Sequence, residues 1–158
     1  MSSPSATLNS DSPVLDPLSM KALVPKLQAL YPNLSFKFGR RFAFKPPKTI
    51  SIGPDEGPYT PQLLFHELGH ALSKEYAYST KVERLRIESI AWQTGKAAYQ
   101  EHQQALNLPS WDDDFAEDNL DTYRDWLHQK SICRTCGLTM FEDDSGWHCP
   151  YCDQFKTL

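Results

Sequence analysis

The chain contains no apolar run approaching the roughly 20 residues a membrane-spanning helix requires, and its N-terminus lacks the basic-then-apolar layout of a secretory signal. Those two absences argue against a transmembrane or Sec-exported protein and lead us to expect a cytoplasmic one with no membrane partner. Positive charge is also scarce: the formal net charge is −4, so no global basic surface draws the chain to nucleic acid or anionic lipid. Cysteine is absent until residue 133, and all 4 cysteines fall between there and residue 152. With 158 residues, 40% of them hydrophobic, the chain fits one compact α+β domain plus a small appendage.

Residues 1–15 are Ser- and Pro-rich and are expected to be disordered. From Leu18 to Tyr31 apolar residues recur at helical spacing, with Pro25 kinking or starting the helix. Alternation in Leu34–Phe38 and Phe42–Phe44, followed by Thr49–Ile52, predicts three short strands forming a small antiparallel sheet. Thr60-Pro61 reads as a helix start, an N-cap hydroxyl before proline at the first helical position, with the helix running to about Tyr76. Thr80 and Glu83 match a capping box that opens a long helix from Lys81 to about Ala105. Ser110–Asp118 reads as a solvated connection, its acidic run Asp112–Asp114 being either a solvated face or a helix N-terminus. A last helix is expected over about 117–129.

The segment His66-Glu67-Leu68-Gly69-His70 carries the chemistry. Histidines four apart on a helix project from one face, and two neutral imidazole nitrogens can fix a zinc ion while leaving coordination open for water. Glu67 beside them can take a proton from that water as general base. Leu64, Phe65, Leu68, Ala71 and Leu72 lie on the opposite side of the helical wheel, whereas Gly69 and Ser73 share the histidine face, so these are not core histidines. A catalytic zinc needs a third protein ligand. Glu75, Glu83, Glu88 and Glu101 are the carboxylates available before the next histidine, His102. Glu83 has the capping box to serve, and Glu75 points to the far face of its helix. Glu88 is followed by Ala91 and Gly95, a flat strip on which another helix could come close, and it is the expected third ligand.

Cys133-x-x-Cys136 and Cys149-x-x-Cys152 have the spacing of a closed four-thiolate zinc site. Gly137 suits a tight knuckle. Leu138–Glu142 reads as a strand, Asp143–Gly146 as a turn and Trp147-His148 as the return, the outline of a zinc ribbon with a structural ion. Two disulfides are the competing account, disfavoured in a reducing compartment, and His148 is a possible substitute ligand. The chain then divides into a zincin-like metallopeptidase domain at 16–129 and a ribbon at 130–158.

Other features are weaker. Tyr76, Tyr78, Tyr99, His102, Tyr123 and His128 are all possible donors to the oxyanion formed during hydrolysis. Strand Thr49–Ile52 could offer an edge to an extended peptide. Lys37, Arg40, Arg41, Lys45 and Lys48, interleaved with Phe36, Phe38, Phe42 and Phe44, follow a pattern seen in nucleic-acid binders, although alternation on a core strand explains it better.

The sequence His66-Glu67-Leu68-Gly69-His70-Ala71-Leu72, with Glu88-x-x-Ala91 in a later helix, resembles the ImmA/IrrE family of small bacterial gluzincin metallopeptidases over about residues 45–100. That resemblance implies zinc ligation by His66, His70 and Glu88, with Glu67 as general base, and a protein substrate of the repressor or regulator class. A C-terminal four-cysteine module is not a regular part of that family. In this respect the chain is similar to SprT/Spartan-like proteases, which act on DNA-bound proteins but use a third histidine. The expected function is therefore an intracellular zinc metallopeptidase with one catalytic and one structural zinc, whose ribbon recruits a protein partner or DNA. The other reading is a binding module with a degenerate catalytic site.

Overall fold

The computed structural model describes residues 19–55, 57–153 and 155–157; the segment 1–15 lies outside them. The chain is α+β, in the order α1 (Met20–Leu30), β1 (Ser35–Phe38), β2 (Ala43–Lys45), β3 (Thr49–Ile52), α2 (Thr60–Ser73), α3 (Lys81–His102), α4 (Asp113–Ser131), β4 (Phe141–Asp143), β5 (Gly146–His148) and β6 (Phe155–Thr157). Pro25 lies inside α1, which nevertheless buries Leu23 and Leu27 completely. Among the described residues no helix is long and apolar enough to cross a membrane.

The first sheet corrects the antiparallel expectation. Its order is β1-β3-β2, with β1 parallel to β3 (Phe36 opposite Ile50) and β2 antiparallel to β3 (Phe44 opposite Ile50). The short turn at residues 46–48 folds β2 back on β3 as a hairpin, and the other side of β3 is then open to β1. Thr49–Ile52 is therefore the central strand, with Ile50, Ser51 and Ile52 buried. It has no free edge for a peptide; the edge strands are β1 and β2, and β2 is the one that lines the cleft beside α2. Phe36, Phe42 and Phe44 pack on the core, Phe38 is exposed, and Lys37, Arg40, Arg41, Lys45 and Lys48 all face solvent.

Helix boundaries follow local chemistry. Thr60 does not cap α2: Tyr59 holds that position, and the Thr60 hydroxyl donates to Asp55 Oδ1 at 2.8 Å. The helix stops at Ser73, ahead of the expected Tyr76, because Lys74 turns left-handed (φ 58°). The Thr80/Glu83 capping box of α3 is formed as expected, and that helix ends at His102. Asp112 caps α4 by accepting from Phe115 N at 3.0 Å, with Asp113 and Asp114 in the first turn. Carboxylates offset the partial positive charge of a helix N-terminus, so the stretch read as a connection begins a helix. That helix also continues through the expected boundary at 129–130 to Ser131.

α2 and α3 form the closest helix contact in the molecule. A Cβ on Gly69 would lie 1.9 Å from the Ala91 carbonyl oxygen, and one on Gly95 would lie 2.3 Å from the Phe65 carbonyl oxygen. The helices thus meet backbone to backbone, as the small-residue strip of Ala91 and Gly95 suggested. Phe65, Leu68 and Tyr99 flank this seam and join Leu23, Leu27, Ile50 and Ile52 in the core.

The C-terminal module is an antiparallel sheet of order β4-β5-β6. Its turn is tied by Asp143 Oδ1, which accepts from Ser145 N at 2.8 Å and Gly146 N at 3.2 Å. β6 is an addition to the two strands expected. Trp147, Met140, Cys133 and Cys149 form its small core, closed on one side by Leu127 of α4. The module is fastened to α3 as well: Glu142 Oε2 accepts from Lys81 N at 2.8 Å and Val82 N at 3.2 Å, and the Ser79 hydroxyl donates to Asp144 at 3.2 Å. Replacing Gly95 with Ala should destabilise the fold by about 1–3 kcal/mol, measured by urea unfolding of the metal-free protein. An unchanged midpoint would mean that the helices do not touch as described.

Candidate functional site

α2 presents His66 and His70 on the side facing α3, and Glu88 reaches back from α3 between them. Glu88 Oε2 lies 3.2 Å from His66 Nε2 and 3.3 Å from His70 Nε2. His66 and Glu88 are buried, at 7% and 8% exposure. The close approach at Gly69 and Gly95 is what allows a glutamate, with so short a reach, to meet two imidazoles on the neighbouring helix. Despite those distances, Glu88 Oε2 makes no well-aligned hydrogen bond. A buried carboxylate oxygen left in this state is costly. Three donor atoms brought this close together make a group that could hold a metal ion. Burial, the largest influence, pushes the Glu88 carboxyl up, but the two imidazoles outweigh it and hold it at about 2, so it is ionised at neutral pH. Among the other carboxylates considered, Glu75 pairs with Arg86 at 2.7 Å on the surface, Glu83 serves the capping box, and Glu101 is exposed.

Glu67 turns the other way, toward the sheet. Its Oε2 accepts from the backbone N–H of Phe44 at 2.5 Å, which fixes the carboxylate beneath the open edge of β2. Together these groups line a cleft of about 330 Å³. Residues Arg41–Phe44 form its sheet side, and Tyr76, Tyr78, Arg84, Ile87 and Tyr123 form its helical side. Of the six candidate oxyanion donors, the cleft collects Tyr76, Tyr78 and Tyr123. Tyr99 is in the core and donates to Pro109 O at 2.9 Å, His102 bonds Tyr31 at 3.0 Å, and His128 lines a separate groove beside the C-terminal module. Burial and the nearby Glu88 carboxylate raise the Tyr123 phenol, which therefore keeps its proton.

Three features of the cleft escaped the sequence reading. Trp92 stacks on the His66 ring at 4.3 Å, Phe44 N–H holds Glu67, and Arg84 reaches into the cleft. Arg84 and Trp92 are one turn to either side of Glu88, so helical spacing carried a signal for both; the Phe44 contact depends on sheet placement and had none.

The four cysteines form a second cluster that could hold a metal ion. All are free thiols, with Sγ–Sγ separations of 3.5 Å for Cys133–Cys152, 3.4 Å for Cys136–Cys149 and 3.7 Å for Cys136–Cys152. The disulfide account therefore does not describe this fold. Backbone N–H groups of Cys136 and Thr135 lower the Cys133 thiol to about 6, and those of Cys152 and Tyr151 lower Cys149. Each C-x-x-C loop thus stabilises a thiolate, the form that binds metal. Gly137 takes the positive φ of the first knuckle (75°). His148 is engaged elsewhere, with Asp143 at 3.1 Å and Ser145 at 3.0 Å.

Comparison with protein-family models, curated proteins and solved structures returns no match to this chain. Elemental analysis should find one ion in each cluster. His66→Ala should remove one and leave the other, and Cys149→Ser should do the reverse. Wild-type protein that holds one ion in all, and keeps it in His66→Ala, would empty the buried histidine–glutamate group of its role.

Proposed function

We propose that this chain is a zinc metallopeptidase of the gluzincin type, with His66, His70 and Glu88 as ligands of a catalytic zinc and Glu67 as general base. The observation that carries the reading is the triangle of His66, His70 and Glu88 donor atoms. Tetrahedral ligands at zinc's 2.0–2.1 Å stand about 3.3 Å apart, close to the 3.2 Å and 3.3 Å separations here. Thiolates at about 2.3 Å from zinc stand about 3.8 Å apart, which supports a structural zinc in the cysteine cluster with its spacings of 3.4–3.7 Å. Zinc at the catalytic triangle would supply a water acidified to a pKa of about 7 and a Lewis acid for the scissile carbonyl.

The protein's own groups divide the remaining work. Glu67 takes the proton as water adds to the carbonyl carbon, then delivers it to the amide nitrogen as the C–N bond breaks. The Phe44 N–H aims that carboxylate. Tyr123, the most enclosed of the three cleft tyrosines, donates to the developing oxyanion. The open edge of β2 runs along the cleft, and an extended substrate pairing there would lie over Glu67.

The third ligand being a glutamate supports the ImmA/IrrE-like reading over the SprT-like one, and with it a regulator or repressor as the substrate. The ribbon exposes Leu138, Phe141, Tyr151 and Phe155, an apolar surface that favours a protein partner over DNA. Four cysteines kept as thiols for a metal suit a reducing intracellular compartment. Glu67→Gln should lower turnover of a protein substrate by about 10²–10⁴-fold while both metals stay bound. Cleavage at the wild-type rate by that variant would defeat the mechanism.

A further inference from the structure

Arg84 occupies an unusual setting in the cleft. Its guanidinium carbon lies 5.9 Å from the Tyr78 ring centroid, 5.5 Å from Tyr123 and 5.7 Å from Trp126. Three aromatic rings therefore hold the group in place through cation–π attraction. Other arginines on these helices are neutralised: Arg86 by Glu75, and Arg124 by Glu117 and Asp121. Among the described residues no carboxylate forms an ion pair with Arg84. The two acidic groups lining the same cleft are already engaged, Glu67 with the Phe44 N–H and Glu88 with the two histidines.

A guanidinium ordered in this way lacks an anion. One of its N–H groups bonds the Tyr123 hydroxyl, and a guanidinium has five such donors in a planar fork, so others remain that match a carboxylate. Arg84 sits one helical turn before Glu88, so the fork and the metal triangle open into the same space. Arg41 adds a second positive charge at the sheet side of that space. From this arrangement we infer that Arg84 is a specificity residue that binds a carboxylate of the substrate, and that the cleft selects acidic peptides. The carboxylate belongs either to an Asp or Glu side chain near the scissile bond or to the free C-terminus of the peptide. This inference rests on the peptidase reading for the substrate being a peptide.

Paired libraries of random octapeptides test it, identical except for Glu or Gln at one central position, each with a free or an amidated C-terminus. Wild-type protein loaded with zinc should cleave one carboxylate-bearing set about 10- to 100-fold better than its neutral counterpart, the range expected of a charged hydrogen-bonded pair. Preference for Glu over Gln assigns a side-chain carboxylate, and preference for free over amidated ends assigns the C-terminus. Arg84→Gln should erase the preference, and Arg84→Lys should restore part of it; a change in folding alone would lower both members of a pair equally. Cleavage without a preference, or a preference that persists in Arg84→Gln, overturns the inference and leaves the peptidase reading standing. If no library is cleaved, the peptidase reading fails. Fluorescence-anisotropy binding to zinc-loaded Glu67→Gln protein, with and without Arg84→Gln, then decides the inference alone: tighter binding of carboxylate peptides that depends on Arg84 supports it, and equal binding overturns it.

Discussion

The backbone contact between α2 and α3 governs the geometry of the histidine–glutamate cluster. Gly69 lies one residue before His70, and Gly95 presses on the carbonyl of Phe65 and the Cα of His66. The closest point of the two helices therefore coincides with the histidine pair. At ordinary helix separations of 8–10 Å, bulkier residues would fill the seam and a glutamate on α3 would fall short. With glycine on both sides, its carboxylate arrives within 3.3 Å of two imidazoles. The two imidazoles offset the cost of burying that carboxylate, and a cation at the point on which the three converge would offset it further.

α3 joins the parts of the molecule along its length. Its N-terminal N–H groups are taken by Glu142 of the C-terminal module, it supplies Arg84 and Glu88 to the cleft and Trp92 to the His66 ring, and its far end buries Tyr99 in the core. The cysteine module is thus braced against the same helix that completes the histidine site. The opposite wall comes from a different source, the edge strand β2, whose Phe44 N–H holds Glu67. The histidine–glutamate cluster and Glu67 are set by separate supports, helix packing for the first and sheet placement for the second.

Much of this was legible because it is local. The His66/His70 spacing, the Thr80/Glu83 capping box and the paired C-x-x-C loops are each decided within a few residues, and all have the local form the sequence implied. Glu88 was legible for a less direct reason: Ala91 and Gly95 betray a helix face that must be approached closely. Features that depend on distant segments were not. Nothing in residues 35–52 reveals that β1 would pair in parallel with β3, which leaves Thr49–Ile52 in the centre and puts β1 and Ala43–Lys45 at the edges. The start of α4 was misread because Asp112–Asp114 look the same as a solvated loop and as a helix cap until Phe115 N–H is seen to bond Asp112. Arg84 meets rings from α4 and from the loop before α3, a convergence no spacing rule describes.

The decisive point in the molecule is the one enclosed by His66, His70 and Glu88. Anomalous diffraction from crystals of the zinc-loaded protein, recorded on either side of the zinc absorption edge, locates the ion directly. A peak about 2.0–2.1 Å from both histidine nitrogens and the Glu88 carboxylate is the predicted result. Density for zinc only at the four cysteines, with Glu88 bonded to a protonated histidine, would contradict it.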